Sequence, residues 1–124
     1  MQRIEILFVD DERDLLALGA TTLRGAGYTV QSAISGDVAL ILVEQGLLFD
    51  LLITDIVMPG FLNGYALARK AREHIPELPI LYSTGYGKAA TLSQEAAPPG
   101  QLLLKPYRQG DLLRAVESAL TSLH

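Results

Sequence analysis

Five short apolar runs alternate along the chain with stretches in which apolar residues recur at helical spacing, and this order constrains the fold more than any other feature. The runs are short, rich in aliphatic side chains and bounded by Gly, Pro or acidic residues, so they predict strands. Alternating strands and helices favour a parallel sheet with helices on both faces, joined by right-handed crossovers. The predicted strands are Ile4–Val9, Tyr28–Ile34, Asp50–Thr54, Leu78–Ser83 and Gln101–Leu104.

Five helices are predicted between and after these strands. Gly or Pro ends most of them, and apolar spacing is weak only in the fourth. Ser35 is the expected N-cap of the second helix, whereas Arg108 precedes the last helix where a capping Ser would serve better, so that cap should be weak. The predicted helices are Leu15–Ala26, Gly36–Gln45, Leu67–Ile75, Lys88–Ala97 and Leu112–Leu123.

Composition limits the classes of protein that fit. The 124 residues suit a single domain, residues 1–124, and 49% hydrophobic residues can build a core. The net charge of -4 argues against a nucleic-acid surface. There is no Cys to form a disulfide or bind a metal, and no apolar run is long enough to cross a bilayer. A reducing cytosol is compatible with this composition.

Polar side chains stand where four of the strands end. Asp10 and Asp11 follow the first strand, Asp55 follows the third, Thr84 the fourth and Lys105 the fifth. Ligands of parallel sheets bind beyond the carboxyl ends of the strands, so these groups should converge at one edge. The sequence therefore predicts three carboxylates, a hydroxyl and an ammonium in one site.

These residue types indicate phosphoryl chemistry supported by Mg²⁺. Close carboxylates repel one another, and a hard divalent cation with oxygen ligands relieves the repulsion. A carboxylate can act as a nucleophile and form an aspartyl-phosphate. Lys105 and Mg²⁺ would neutralise the phosphoryl oxygens, and Thr84 would donate a hydrogen bond. No glycine-rich phosphate loop is present, so ATP is not the expected substrate.

Each residue also has a purely structural interpretation. Asp10 and Asp11 could cap the first helix, and Asp55 could cap the loop that follows it. Thr84 before a Gly could be turn chemistry, and Lys105 could be a solvated surface residue. Each structural interpretation is reasonable alone, but their joint position at successive strand ends favours a functional site.

Four motifs carry a resemblance to the receiver domains of two-component response regulators. They occur in order and span the chain from the first strand to the last helix: Val9-Asp10-Asp11, Thr54 to Gly60, Ser83-Thr84-Gly85 and Lys105-Pro106-Tyr107. The resemblance implies a flavodoxin-like, doubly wound α/β fold with a five-stranded parallel sheet of order 2-1-3-4-5 and five helices.

The resemblance also implies roles for the site residues. Asp55 is the implied phosphoacceptor. Mg²⁺ is implied to bind Asp10, Asp11, Asp55 and the backbone carbonyl of Val57. Thr84 and Lys105 would contact the phosphoryl group, and the peptide before Pro106 would be cis.

The implied partner is a histidine kinase or a histidine phosphotransfer protein, whose phosphohistidine supplies the phosphoryl group. Phosphorylation would switch the surface near the fourth helix and fifth strand, which with the fifth helix is the family's usual dimer surface. The resemblance implies a cytoplasmic domain without nucleic-acid or membrane contact of its own, and not a conventional enzyme.

Some residues depart from the commonest receiver pattern. The segment Met58–Gly64 is one residue longer, as in receivers of hybrid kinases and some stand-alone receivers. Leu102 occupies the position of a switching aromatic residue. We expect Tyr107 to pack and Tyr86 to lie over the pocket. Neither Val57 nor Tyr86 is suited to activate water, which predicts a long-lived phosphorylated state.

Three other functions compete with a phosphorylation switch. A Mg²⁺-dependent phosphohydrolase with an aspartate nucleophile would need a second Asp at position 57, which is Val57. A flavin-binding electron carrier would need a hydroxyl- and glycine-rich phosphate loop after the first strand, where Asp10 and Asp11 would repel phosphate. A degenerate receiver that only binds proteins would not need the complete set of site residues.

Overall fold

The computed structural model of the chain describes residues 3–85 and 97–121. In these residues all five predicted strands and four of the five predicted helices are present. The remaining predicted helix, Lys88–Ala97, lies outside the described residues except for Ala97, which has irregular backbone. In chain order the elements are β1 Glu5–Val9, α1 Arg13–Gly25, β2 Thr29–Ala33, α2 Gly36–Glu44, β3 Leu51–Asp55, α3 Gly64–His74, β4 Ile80–Gly85, β5 Gln101–Lys105 and α4 Gln109–Thr121.

The strands form one parallel sheet of order β2-β1-β3-β4-β5, as predicted. β3 is central, and every one of its residues is buried. A central parallel strand is covered on both faces, which explains why its sequence is apolar throughout instead of alternating. The sheet therefore places the end of β3, and with it Asp55, in the middle of the carboxyl edge.

Two cores cover the two faces of the sheet. On the α1/α4 face, Phe8 and Ile53 pack with residues of α1 and α4 such as Leu112. On the α2/α3 face, Leu52 packs with residues of α2 and α3 such as Leu67. Side chains along a strand alternate between the two faces of the sheet. The face of one residue therefore gives the face of all the other residues in the same strand.

Gly19 sets the distance between α1 and the sheet. A Cβ atom at this position would lie 2.5 Å from the Phe8 ring and 3.3 Å from Leu112. Only a residue without a side chain allows the helix to approach this closely. The close approach packs α1 directly against β1, the strand that leads to Asp10.

The helix starts follow the capping predictions. The Ser35 hydroxyl accepts a hydrogen bond from the Val38 N–H at 3.1 Å, so Ser35 is the N-cap of α2, as predicted. Before α4, Arg108 offers no side-chain acceptor. The Asp111 carboxylate instead accepts from the Arg108 N–H at 3.0 Å, which is half of a capping box. This bond lowers the pKa of Asp111.

Strand ends differ from the prediction by one or two residues. β4 begins at Ile80, two residues later than predicted, and Pro79 before it has no N–H to donate. β3 extends to Asp55, β4 to Gly85 and β5 to Lys105. Asp55, Thr84 and Lys105, which were predicted to follow the strands, are therefore held on the strands themselves, whereas Asp10 and Asp11 follow β1 as predicted. None of the described helices is long and apolar enough to cross a membrane.

Candidate functional site

Three carboxylates meet at the carboxyl edge of the sheet. Oxygen atoms of Asp10, Asp11 and Asp55 lie within 4.8 Å of one another. Asp10 and Asp55 are buried, with 1% and 6% of their surface exposed, and Asp11 is exposed. The predicted convergence of these carboxylates is therefore present.

Strand alternation explains how the fold directs these side chains. Asp10 lies two residues after Phe8, and Asp55 two residues after Ile53, so both lie on the α1/α4 face. Lys105 shares this face, because it lies two residues after Leu103, which packs against the same core. Three stretches of backbone, at the ends of β1, β3 and β5, thus deliver charged groups of opposite sign to one face of the sheet edge.

Lys105 joins the cluster through its ammonium group. Its Nζ lies 3.0 Å from Asp55 Oδ2 and 3.0 Å from Asp10 Oδ2. It also forms an ion pair with Glu12 at 2.5 Å. The lysine is therefore not a solvated surface residue. The ion pair between Glu12 and Lys105 was not predicted, because the sequence does not show which residue a long acidic side chain at the start of a helix will contact.

Asp10 also stabilises the start of α1. Its Oδ1 accepts a hydrogen bond from the Glu12 N–H at 2.9 Å. The N-cap of α1 is Glu12, which has no side-chain capping bond, so neither Asp10 nor Asp11 is the N-cap residue. The structural interpretation of Asp10 thus holds in part, and the same carboxylate belongs to the acidic cluster.

The buried cluster carries more carboxylate charge than its one ammonium can neutralise. Desolvation raises the pKa of Asp55 to about 6, although the Lys105 hydrogen bond and charge lower it, and Asp10 and Asp11 raise it further. Desolvation also raises the pKa of Asp10. Burial acts to lower the pKa of Lys105, but its hydrogen bonds to Glu12, Asp10 and Asp55 raise that pKa overall, so its ammonium stays charged. One ammonium does not offset these carboxylates, and this imbalance fits the donor set of a divalent cation.

Two neighbouring hydroxyls at the end of β4 are buried. Ser83 is 2% exposed and Thr84 is 5% exposed. Within the described residues neither hydroxyl has a hydrogen-bond partner. Buried polar groups in proteins are normally paired, so unpaired hydroxyls beside a carboxylate cluster fit a site for an oxygen-rich group such as phosphoryl. The sequence prediction placed both residues at the end of the fourth strand but assigned a role only to Thr84.

An open cleft gives access to the cluster from solvent. Asp11, Asp55 and Lys105 line it together with Val57 and Tyr107. The Lys105–Pro106 peptide is cis, as the resemblance implied. Tyr107 packs against the α1/α4 core, as predicted, and burial and the charge of Asp10 raise its pKa.

The structure gives the position of Leu102 but leaves the roles predicted for Tyr86 and Val57 untested. Leu102 lies on β5 and is 55% exposed. Tyr86 lies outside the described residues, so its predicted position over the pocket stays a prediction. The metal-binding role of the Val57 carbonyl is likewise still a prediction.

A sheet of this order with this acidic edge defines the class of signalling receivers, and the chain belongs to the response regulator receiver domain family. The family model described as "Response regulator receiver domain" matches residues 6–117. Receiver domains of two-component systems interact with histidine kinases and generally bind Mg²⁺. The chain is therefore a signalling domain and not a conventional enzyme.

Several relatives are similar over most of the chain. The response regulator receiver protein CpdR of Brucella abortus (strain 2308) is 35% identical, over 93% of this chain and 95% of CpdR. A crystal structure of a response regulator receiver protein from Sinorhizobium medicae WSM419 has a TM-score of 0.87 and 33% identity, and covers 98% of this chain and 97% of that one.

Longer relatives carry a similar segment as one part. The sensor kinase CckA of Brucella abortus is 35% identical over 93% of this chain, but the matched segment is only 12% of CckA. The match to the transcriptional regulatory protein ZraR of Escherichia coli K12 covers 27% of ZraR. Receivers similar to this chain thus occur in proteins of quite different architecture.

Proposed function

We propose that Asp55 is the phosphoacceptor of a two-component phosphorelay and receives its phosphoryl group from a phosphohistidine. The single observation that carries this proposal is the surroundings of Asp55. Its carboxylate is buried at the end of the central strand, 3.0 Å from Lys105 Nζ and beside the carboxylates of Asp10 and Asp11. A nucleophilic carboxylate with an adjacent ammonium is suited to accept a phosphoryl group.

The residues present fit a Mg²⁺ ion. Asp10, Asp11 and Asp55 would hold it through carboxylate oxygens, and Val57 through its backbone carbonyl. When bound, the ion would neutralise charge on the phosphoryl oxygens. The support for this fit is the excess of buried carboxylate over ammonium charge and the lack of nearby His or Cys ligands among the described residues.

The transfer itself uses side chains of this chain. An Asp55 Oδ attacks the phosphorus of the phosphohistidine, and the bond between phosphorus and the imidazole nitrogen breaks with its electron pair left on the nitrogen. Lys105 would move its ammonium from the Asp55 carboxylate toward the phosphoryl oxygens. Thr84 would donate its unpaired hydroxyl to one of them.

Family membership supports the remaining features of the proposal. The donor would be a histidine kinase or a histidine phosphotransfer protein in the cytoplasm. Residues 1–124 would act as one receiver domain, with Pro106 keeping Lys105 in place and Leu102 part of the surface that responds. That surface, near the predicted fourth helix and β5, would also serve any homodimer.

Labelling with a small phosphodonor tests the phosphoacceptor directly. Wild-type protein is incubated with acetyl phosphate and Mg²⁺, and its intact mass is measured. We expect a gain of one phosphoryl group that is absent in Asp55→Asn. Asp50→Asn is the matched control, because Asp50 accepts a hydrogen bond from the Glu5 N–H at the other end of the sheet. A folded wild type that takes no label, or label in Asp55→Asn, would contradict the proposal.

The phosphorylated state is proposed to be long-lived. The position of Val57 carries no acid or amide to orient water, and the same holds for Tyr86 in the sequence. Decay of the label is compared with that of Val57→Asn and Tyr86→Glu, which introduce such groups. We expect slower decay in the wild type, and faster decay in the wild type than in both variants would refute the hypothesis.

A further inference from the structure

The outer face of α2 is apolar, unlike the outer faces of the other described helices. Residues 38–43 form an unbroken apolar run, and within it Val38 is 40% and Ile41 is 54% exposed. The exposed faces of α1, α3 and α4 instead carry charged side chains, among them Arg24, Lys70 and Glu117. A helix that is apolar on all sides is normally covered on all sides, so the exposed side of α2 points to a partner that covers it.

Phe61 adds an aromatic side chain next to this face. It is 100% exposed, and its N–H donates at 3.3 Å to Asp37 Oδ2 in the first turn of α2. Gly60 before it has a φ of 100°, which favours glycine, so the turn of this loop is also set by its sequence. Asp37 lies four residues before Ile41, on the neighbouring turn of the same side of the helix. We call Val38, Ile41 and Phe61 the α2 patch.

Two carboxylates flank the α2 patch without a cation to neutralise them. Within residues 3–85 and 97–121 neither Asp37 nor Glu44 forms an ion pair. Asp37 suits the first turn of a helix, but Glu44 lies in the last turn, where the helix dipole disfavours a carboxylate and no basic residue offsets it. The two residues are seven apart, so both lie along one side of α2. The patch is therefore apolar with one acidic flank.

These features favour a basic amphipathic helix as the occupant. Val38 and Ile41 are three residues apart on α2, so they form a ridge that packs into the groove of another helix. The backbone of α2 is hydrogen-bonded within the helix and offers no free groups to an incoming strand. A helix with its apolar stripe over the patch can place Lys or Arg side chains at the edge of the contact, next to Asp37 and Glu44.

A second copy of the chain fits the patch less well. In an antiparallel pair of α2 helices the same flanks meet, so Asp37 of one copy would face Glu44 of the other, and like charges repel. Neither α2 nor the loop of residues 57–63 contains a Lys or Arg that could relieve this repulsion. The same two carboxylates would repel the anionic headgroups of a membrane.

We propose that the α2 patch binds an amphipathic helix of a partner protein. The apolar stripe of that helix covers Val38, Ile41 and Phe61, and its Lys or Arg residues face Asp37 and Glu44. None of these five residues belongs to the acidic cluster at the carboxyl edge of the sheet. A failure of Asp55 to accept a phosphoryl group would therefore overturn the proposed function and leave this binding site unaffected.

Two synthetic helical peptides test the proposed binding. One has leucine along one stripe and lysine on both flanks, and the other has glutamate in place of each lysine. Binding of each fluorescently labelled peptide to the full chain is measured by anisotropy with Mg²⁺ present, which reduces the attraction of lysine to the acidic cluster. We expect the lysine peptide to bind roughly tenfold or more tightly than the glutamate peptide. Added salt should reduce this difference.

Substitutions at exposed positions locate the bound peptide. Ile41→Ser should weaken binding of the lysine peptide about tenfold, because a central apolar contact is lost. Leu18→Ser on α1 is the matched control, since Leu18 is 53% exposed and Ile41 is 54% exposed, and it should leave the affinity unchanged. Glu44→Lys should remove most of the preference for the lysine peptide. If Ile41→Ser does not fold, Phe61→Ser should weaken binding instead.

Several results would overturn this assignment of the α2 patch. Equal affinity for the two peptides, no binding of the lysine peptide, or an unchanged affinity in Ile41→Ser would each do so. Binding that Asp11→Asn abolishes but Ile41→Ser leaves intact would place the lysine peptide at the acidic cluster instead. A dimer in sedimentation that dissociates in Ile41→Ser would make a second copy the occupant. Binding to phosphatidylglycerol vesicles that is lost in Ile41→Ser would make it a membrane.

Discussion

The third and fifth strands belong to one sheet but differ in how fully they are packed. Every residue of β3 is buried, whereas β5 alternates, with Leu102 55% and Leu104 49% exposed. β3 carries Asp55 and is held between two neighbours, while β5 carries Lys105 and pairs on one side only. Asp55, the proposed acceptor, thus lies on the most constrained strand, and its counterion Lys105 lies on a less constrained one. The chemistry of the site should depend strongly on β3 and weakly on the outer surface of β5.

Truncation of one leucine in each strand gives the largest expected difference. Leu52→Ala on β3 removes a side chain that is 0% exposed and should lower the free energy of unfolding by about 2–5 kcal/mol. Leu104→Ala on β5 should cost about 1 kcal/mol or less, because half of that side chain already contacts water. Urea unfolding curves measure both. Similar losses would show that β5 is as tightly packed as β3.

The buried acid at the end of β3 predicts a pH-dependent stability. The pKa of Asp55 is raised from 3.8 to about 6, so the folded state binds the proton more tightly than the unfolded state does. The contribution of Asp55 to the free energy of unfolding is therefore largest below its pKa in the unfolded state. It is lost as the pH rises through about 6, the pKa in the folded state. In Mg²⁺-free buffer, the free energy of unfolding of Asp55→Asn, measured relative to that of the wild type, should rise by roughly 2–3 kcal/mol between pH 4 and pH 7.

Urea unfolding at a series of pH values checks this sign and range. The difference in free energy of unfolding between Asp55→Asn and the wild type should be small at pH 4, grow toward pH 6 and level off above it. Asp50→Asn serves as the control for replacing a carboxylate with an amide, because Asp50 lies at the opposite end of the sheet. A gain that falls with rising pH would contradict the assignment.

Mg²⁺ should stabilise the β3 end of the sheet through the acidic cluster. At a concentration ten times its dissociation constant, the ion should add about 1.4 kcal/mol to the free energy of unfolding. Asp11→Asn should reduce this gain, because Asp11 belongs to the cluster and, being exposed, is not needed for the core. Thermal melts with and without Mg²⁺ measure it. An equal gain in Asp11→Asn would exclude Asp11 as a ligand.

The smallest expected effect is at the surface of β5. Leu102→Ser should change stability by about 0.5 kcal/mol or less, as exposed substitutions usually do. Labelling by acetyl phosphate should be unchanged, because Leu102 lies on the α2/α3 face, opposite to Asp55 and Lys105. Loss of labelling in a folded Leu102→Ser would mean that β5 couples to the site through both of its faces.

The sequence predicted the fold well because strands and helices alternate without ambiguity. The site followed because chemistry in a parallel sheet gathers at the carboxyl ends: Asp10 comes directly after β1, and Asp55 and Lys105 are the last residues of β3 and β5. No family knowledge was needed to bring these groups together. The resemblance added their roles, which the labelling experiments test.

Other features could not be predicted, for physical reasons. β4 is apolar on both faces, so its pattern does not tell which face holds Ser83 and which holds Thr84. The ion pair between Glu12 and Lys105 depends on the conformations of two long side chains, which the sequence does not determine. Phe61 is fully exposed although it is aromatic, because its loop is held by a bond from its N–H to Asp37 and by Gly60 in a left-handed conformation. Composition alone would place such a residue in the core.

The ion pairs of Lys105 have a consequence for the speed of signalling. One ammonium pairs with Asp10, which follows β1, and with Asp55 at the end of β3. Release of Asp55 from this pair requires a rotation of the Lys105 side chain, a step that is fast compared with collective motions of a domain. The waiting time for a response should accordingly be set by the encounter with a phosphodonor, and the duration of the response by hydrolysis.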